Sequence, residues 1–264
     1  MILVGGIAIL ALIVLFFASR SGDETAAPVT SETTTAPPPP TINLATTEPA
    51  PERLANVLAA RDPNRSDELI AVASVGTAAG SYAQHQAAAR NILGAANPGS
   101  SRIIVDGYQV CSAASSPERS VICTAFTDFV VTSDNLIESF DVQGLPVAGQ
   151  VVAGSPPTQA EGITVRAQSA YRSPANNSLT VIVLIENGSD DKIELFPFAA
   201  TYQLDDGDAV NVDGHWGDAT VAAGEEARIL VRVPDTELQG ILNITGWSPV
   251  LEDLEFAVPV TRPA

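Results

Sequence analysis

The chain is short of positive charge. Its 264 residues include 13 lysines and arginines against 31 aspartates and glutamates, which gives a net charge of −18. Proteins that bind nucleic acid need a basic face to displace counterions from the phosphates, so we expect no nucleic-acid partner. The same balance argues against adhesion to anionic lipid headgroups. The acidic excess is then most simply a source of solubility and self-repulsion.

Residues that carry metal or catalytic chemistry are also scarce. The chain has two histidines, His85 and His215, and neither is near a cysteine in the sequence, which argues against a zinc site. The sequence contains no Gly-x-Ser-x-Gly, His-Glu-x-x-His or Walker motif. Adjacent acids such as Glu225 and Glu226 point apart and do not converge on a substrate. We therefore expect no enzyme activity, no cofactor and no metal.

One acidic cluster has the oxygen ligands that calcium uses. Residues 205–208, Asp-Asp-Gly-Asp, bring carboxylates close together in the sequence. They lack the twelve-residue loop and the closing bidentate glutamate of a calcium-binding hand. We interpret the cluster as a solvated hairpin turn.

Only one long apolar run occurs, and it lies at the N-terminus. Residues 2–18 carry no charged or polar side chain. As a helix they would rise about 25 Å, at the short end of what crosses a bilayer. A cleaved secretory peptide is the alternative, but the apolar run has no basic residue before it, and its exit, residues 16–20, puts a bulky Phe where such peptides need a small residue. We predict an uncleaved, single-pass transmembrane anchor over residues 1–20, with the rest of the chain extracytoplasmic.

The next stretch, residues 21–51, is rich in proline, threonine and alanine and has few large apolar side chains. Such a segment buries too little surface to offset the entropy of ordering its backbone, so we predict a disordered stalk. At about 3.1 Å per residue, the extended stalk would hold a domain on the order of 90 Å from the bilayer. That reach suits a bacterial protein whose domains stand beyond a wall layer.

The two cysteines, Cys111 and Cys123, lie in segments that we predict as strands, residues 102–111 and 120–131. A turn-rich stretch separates these segments, so they can pair as a hairpin in which the sulfurs face each other. A disulfide formed in an oxidising compartment is the simplest interpretation. Two buried free thiols, or half of a metal site, are the alternatives.

Residues 52–150 are predicted to form a small α+β domain. Helical patterns come first: one covers residues 51–62, one begins at a capping Ser66, and one covers residues 77–95. The two cysteine-bearing strands and a third over residues 135–142 follow as an antiparallel meander.

This order, with a last strand ending in Ser-Phe-Asp-Val-Gln-Gly-Leu-Pro-Val, loosely resembles the cone-shaped nuclear transport factor two-like domains of exported actinobacterial proteins over about residues 67–147. The resemblance implies a sheet wrapped around a pocket, which some members use for ligands and a few for catalysis. Tyr82 and His85, a helical turn apart, are then candidate pocket residues. Asp106 or Asp128 could lie across the cavity. The alternative for His85 is a partly exposed helix residue.

A Gly-Ser-Pro-Pro linker at residues 154–157 precedes a second predicted domain, residues 160–264. Apolar residues recur there at every second position, as expected of strands with one buried face. Seven strands are predicted, over residues 163–170, 179–186, 193–196, 200–204, 227–233, 241–247 and 254–260. This number and spacing are typical of an all-β immunoglobulin-like sandwich.

The second domain also resembles a family in its residues. It has a strand that ends in an Asn-Gly turn, an aromatic pair in Phe-Pro-Phe, and a Gly-Glu turn before a strand. These are similar to the bacterial immunoglobulin-like domain of unknown function found in surface lipoproteins and related to a secreted mycobacterial antigen. The match spans about residues 162–260. It implies a fold and a surface location, and members are regarded as binding or structural modules. In this chain the predicted helix anchor takes the place of their lipid-bearing cysteine.

A glycine-rich loop in this domain is the best candidate contact site. His215, Trp216 and Asp218 combine an imidazole, an aromatic ring and a carboxylate there. Aromatic residues in loops are enriched at binding surfaces. A tryptophan tucked over the end of the sandwich is the alternative.

Together these features predict a multi-domain, membrane-anchored, extracytoplasmic bacterial protein that acts as a non-catalytic binding module. Its expected partner is an envelope or surface protein, or a glycan. Two alternatives stay open. One is an enzyme or small-molecule carrier with a pocket in the α+β domain, and the other is a purely structural envelope protein.

Overall fold

The computed structural model describes residues 48–94, 102–105, 108–112, 121–205 and 207–261, with the backbone alone at 102–105 and 112. The predicted anchor and most of the predicted stalk lie outside these residues. Within them, no helix combines the length and the apolar composition that crossing a bilayer requires.

The first helix, α1 (Ala50–Ala60), begins inside the predicted stalk. Pro51 explains the early start, because proline suits the first turn of a helix, where its missing N–H costs nothing. Leu54, Val57 and Leu58 share the buried face that their spacing predicts. The helix ends at Arg61, which adopts a left-handed backbone with φ +51°.

Two further helices complete the helical layer. Helix α2 (Ser66–Ala71) begins at Ser66, so the prediction that this residue caps the helix was wrong; its hydroxyl donates to the carbonyl of Pro63 instead. Helix α3 (Ala78–Leu93) is capped by Thr77, whose Oγ1 accepts a hydrogen bond of 3.1 Å from the backbone N–H of Gly80.

A five-stranded antiparallel meander follows the helices. Its strands, in spatial and chain order, are β1 (Arg102–Val105), β2 (Gln109–Ser112), β3 (Cys123–Val131), β4 (Ile137–Val142) and β5 (Leu145–Pro146). We predicted three strands. The segment 102–111 is two strands rather than one, because the chain turns back near Tyr108, where φ is +67°.

The rest of the described chain is almost entirely β-structure in two further sheets. One has the order β13-β15-β9-β8, and both β6 and β7 pair with β8. In the other, β16 pairs with β17 along one edge and with β10 and β11 along the other, while β14 joins β10 and β12 joins β11. The strands are β6 (Val151–Ala153), β7 (Thr158–Ala160), β8 (Ile163–Ser173), β9 (Ser178–Asn187), β10 (Ile193–Leu195), β11 (Thr201–Leu204), β12 (Ala209–Asn211), β13 (Gly214–Trp216), β14 (Thr220–Val221), β15 (Glu226–Val233), β16 (Gly240–Ser248) and β17 (Glu252–Val260).

The inward side chains of these two sheets form one apolar core. Ile163 and Val183 from one sheet and Leu242 and Phe256 from the other belong to it, each at most 1% exposed. All seven predicted strands of this region are present, with ends shifted by no more than three residues. The two sheets therefore pack face to face as a sandwich.

Helix α3 joins the two parts of the described chain. Its C-terminal half packs on the outer side of the β9–β15 sheet, where Ala89, Ile182 and Leu230 form a small buried cluster. This contact explains why β9 is apolar on both sides, since one face meets the opposite sheet and the other meets the helix. The predicted division at residues 154–157 stays a prediction, but the parts on either side of it share buried surface.

Candidate functional site

The predicted disulfide is confirmed. Cys111 and Cys123 are directly opposite in the register of β2 and β3, and their sulfurs are bonded. The bond closes a hairpin of the meander and excludes both the free-thiol and the metal-site alternatives. Cys111 is 2% exposed, so its half of the bridge is part of the core.

Tyr82, a candidate pocket residue, lies in a filled aromatic cluster. Its ring is 3% exposed and makes edge contacts with Phe140 at 5.3 Å and Tyr171 at 5.0 Å between centroids. Phe126 lies 6.4 Å away on another side. Edge-to-face contacts of this kind are favourable because the positive rim of one ring meets the negative face of the next. Side chains therefore occupy the space around Tyr82 that a ligand pocket would need.

His85 is 1% exposed, so our alternative of a partly exposed helix residue was wrong. Its Nδ1 lies 2.9 Å from the Ser169 hydroxyl, and its Nε2 lies 3.0 Å from the Thr180 hydroxyl. Thr180 Oγ1 donates its single proton to the carbonyl of Tyr171, at 3.1 Å. It must therefore accept from His85, which assigns the imidazole proton to Nε2 and makes Ser169 the donor to Nδ1.

Burial is the cause that lowers the pKa of His85, to about 3. The ring is thus neutral at physiological pH. Both of its nitrogens are hydrogen-bonded to hydroxyl groups, and neither to a carboxylate. General base catalysis needs a partner that orients the imidazole and a substrate within reach of the free nitrogen. His85 has the geometry of a structural link between α3 and strands β8 and β9.

The candidate contact residues do not converge on one point. They lie partly on edge strand β13 rather than in the flexible loop that we predicted. Trp216 faces the helix side, packs against the α3 cluster and lies 5.6 Å below the Arg232 guanidinium. His215 points the opposite way and is exposed. The Asp218 carboxylate accepts a 2.9 Å hydrogen bond from the backbone N–H of Thr220, which stabilises the turn after the strand.

An exposed aromatic group adjoins His215. Phe198, in a short 3-10 turn between β10 and β11, is 67% exposed; its ring centroid lies 6.4 Å from that of His215 and 5.9 Å from that of Phe196. We call Phe196, Phe198 and His215 the aromatic edge. The Phe-Pro-Phe motif was recognised in the sequence, but the exposure of Phe198 on the surface was not predicted. The proline between the rings was the available signal, because it favours a turn over a buried strand.

Asp213 and Arg232 hold the strand that carries this edge. The Asp213 carboxylate accepts from Arg232 Nε at 2.8 Å and from a terminal nitrogen at 3.2 Å, a two-point contact with fixed geometry. The pair is partly solvated, so its contribution to stability is modest. It orients the guanidinium over Trp216 and so fixes β13 relative to β15.

A cleft of about 140 Å³ separates the ends of α1 and α3. Its walls combine two arginines and a glutamine with apolar side chains: Leu58, Arg61, Gln86, Ala89, Arg90, Leu93 and Gly94. The volume fits a few water molecules or a small anion. Tyr82 and His85 are not among these wall residues.

The acidic run at residues 205–208, of which Asp206 lies outside the described residues, falls between two paired strands. Strands β11 and β12 pair on either side of it, and Leu204 and Asp208 close the turn through a backbone hydrogen bond of 2.8 Å. Across the described ranges, no group of three or more histidine, cysteine or acidic side chains comes together as a metal site would require.

Comparison with known proteins gives no family. No protein-family description and no curated protein matches the sequence. Among solved structures, the secreted serine protease VesC from Vibrio cholerae is similar with 12% identity and a TM-score of 0.25, over 67% of this chain and 37% of that chain. The chain thus spans little more than a third of that protein's length. A TM-score of this size does not establish a shared fold.

Proposed function

We propose that the protein is a non-catalytic recognition module that an N-terminal helix holds at the outer side of a bacterial membrane. In this proposal the apolar residues 2–18 form the anchor and the Pro/Thr-rich tract forms the stalk. The sandwich is an immunoglobulin-like domain, and the helices with the meander form a nuclear transport factor two-like domain in which aromatic side chains surround Tyr82. The partner is a protein or glycan of the envelope or cell surface.

The aromatic edge is the observation that carries the proposal. Phe198 is large, apolar and 67% exposed, and its neighbour His215 adds a polar ring. Binding energy at interfaces concentrates in a few such side chains, and aromatic residues are enriched among them. A phenylalanine that stays 67% exposed buries little of its surface on folding, which favours a role in binding.

The aromatic edge is also held in place, which lowers the entropy lost on binding. His215 sits on a strand that pairs with β15, and its neighbour Trp216 packs against α3. Phe198 follows Pro197, whose ring limits the backbone of the turn. A rigid aromatic surface supports recognition without turnover.

The disulfide supports the proposed location. Disulfides persist in oxidising compartments and are rare where thiols are kept reduced. The pair Cys111–Cys123 is therefore consistent with a chain that has left the cytoplasm.

Site-specific photo-crosslinking tests the proposal. A photoreactive phenylalanine analogue replaces Phe198 in the full chain, which is expressed in the bacterial membrane and irradiated. The control carries the same analogue at Val75, which is 83% exposed and lies between α2 and α3, outside the aromatic edge. We expect one discrete crosslinked product from position 198 and none from position 75. Equal products from both positions, or none from either, would contradict recognition at this edge.

A further inference from the structure

We propose that the outer face of the sheet around β16 binds an extended, cationic peptide segment, with a Lys or Arg side chain over the indole of Trp247. This surface shares no residue with the aromatic edge, so the proposal does not rest on the function proposed above. We call its four central residues, Glu194, Trp247, Asp253 and Glu255, the acidic face.

Strand register brings these residues together. Trp247 is directly opposite Glu194 of β10 on one side and Asp253 of β17 on the other. Residues opposite each other in a sheet have Cβ atoms about 4.5–5.5 Å apart, so a carboxylate flanks the indole on both sides. Glu255, two residues after Asp253, lies on the same side of β17 because side chains alternate along a strand.

The acidic face is open to solvent. Trp247 is 42% exposed, and the three carboxylates are exposed as well. The alternate residues of β16, such as Leu242 and Ile244, point into the sandwich core. The outward row is therefore a continuous surface of the sheet rather than the rim of a cavity.

The two sandwich sheets differ in whether their surface carboxylates form ion pairs. On the outer side of the β8–β9–β15 sheet, Arg166 lies 3.7 Å from Glu186, and Arg228 lies 3.0 Å from Glu226. Among the described residues, no carboxylate of the acidic face has an arginine or lysine within ion-pair distance. Lys192 lies two residues before Glu194 and is exposed, but it is also beyond that distance, so no described cation contacts the carboxylates of the face.

A cation from a partner would supply the missing charge. An ammonium or guanidinium group over an indole face is attracted by the ring's quadrupole, and the flanking carboxylates add direct charge attraction. An extended peptide presents every second side chain to the same side, which matches the spacing of a sheet surface. Charge complementarity therefore commits this face to a Lys- or Arg-bearing segment rather than to an acidic or purely apolar one.

Fluorescence anisotropy tests this inference. The full chain, purified in detergent, is titrated into a labelled octapeptide of alternating Arg and Ser, with an alternating Glu and Ser peptide as the negative probe. We expect saturable binding of the Arg peptide alone. Binding should weaken at least about tenfold in Trp247→Ala and in the double variant Glu194→Gln/Asp253→Asn.

The matched control removes the same two charges elsewhere. Glu186→Gln/Glu226→Gln changes the opposite sheet, and we expect its affinity to stay within about threefold of wild type. Equal losses in the two double variants would overturn the proposal, since net charge alone would then explain binding. Unchanged affinity in a folded Trp247→Ala, or no binding of the Arg peptide, would overturn it too. Should Trp247→Ala fail to fold, the exposed charge variants decide the question.

Discussion

The imidazole Nδ1 of His85 lies 2.9 Å from the hydroxyl of Ser169, although 84 residues separate them in the chain. The hydrogen bond joins helix α3 to strand β8, and Nε2 of the same ring lies 3.0 Å from the Thr180 hydroxyl of β9. A buried polar group that has its partners specifies one packing arrangement, because any other would leave the group unsatisfied. The helical part and the sandwich are therefore tied at a defined position.

This link predicts that stability falls with acid. The pKa of His85 is about 3 in the folded chain, because burial disfavours the charged ring, against about 6.5 when unfolded. Between these values the unfolded chain binds a proton that the folded chain does not, so the free energy of unfolding decreases as pH drops. We expect this histidine to contribute a loss of about 2 kcal/mol between pH 7 and pH 5, measured by urea unfolding.

Two variants distinguish the contribution of His85 to this pH dependence from the contributions of other titrating groups. His85→Gln keeps hydrogen-bonding capacity without titrating in this range, and we expect a smaller difference between pH 7 and pH 5. His215→Gln changes an imidazole that is solvent-exposed in the folded chain, and we expect it to keep the wild-type difference. The same pH dependence in His85→Gln as in wild type would count against the assignment.

Gly240 is predicted to be intolerant of any side chain. A Cβ at this position would lie 2.8 Å from two ring carbons of Tyr202 and 2.5 Å from the carbonyl oxygen of Gln203. We expect Gly240→Ala to lower the free energy of unfolding by about 2–3 kcal/mol. Gly149→Ala is the control, because nothing lies within 4 Å of its Cβ position. A Gly240→Ala protein as stable as the control would show that the sheet yields there at little cost.

Loss of the disulfide should destabilise the meander. The bond closes a loop of 12 residues in sequence separation, and a loop of that length restricts the unfolded chain by about 3 kcal/mol in the chain-entropy description. We expect Cys111→Ala/Cys123→Ala to unfold at lower urea, and reduction of the wild type to give a similar shift. If a reductant lowered the urea midpoint of the double variant as much as that of the wild type, the destabilisation would not come from loss of this disulfide.

His215 and Trp216 are adjacent but should respond differently to truncation. Trp216 packs against α3, so we expect Trp216→Ala to lower the free energy of unfolding by about 2–3 kcal/mol. His215 is exposed, so His215→Ala should leave stability unchanged within about 0.5 kcal/mol. Thermal and urea unfolding of both variants check this division. Equal destabilisation would mean that the whole strand, rather than one of its faces, holds the helix.

Long alternating strands could be predicted from sequence. Residues 227–233 were predicted as a strand, and β15 covers Glu226–Val233, because Ile229 and Val231 must face the core while Arg228 and Arg232 stay in water. The same reasoning located β16 and β17. Strand β13 could not be found this way, since three residues are too short to show a period and pairing with β15 alone makes them a strand.

The burial or exposure of the candidate site residues could not be predicted from the sequence. His85 is buried because α3 meets the sandwich, a contact between segments about 84 residues apart. The signal that existed was indirect: Thr180 is polar and lies in a strand whose other residues are largely apolar. Phe198 was missed for the opposite reason, because an apolar residue between apolar neighbours is expected inside, and only the 3-10 turn puts it on the surface.

The most direct test of recognition at the aromatic edge is the affinity of the partner captured from position 198. Its Kd is measured by calorimetry with the full-length wild type, Phe198→Ala and Val75→Ala. We expect Phe198→Ala to weaken binding at least about tenfold, which is about 1.4 kcal/mol, and Val75→Ala to change it less than about twofold. Equal affinities for all three proteins would contradict recognition at this edge.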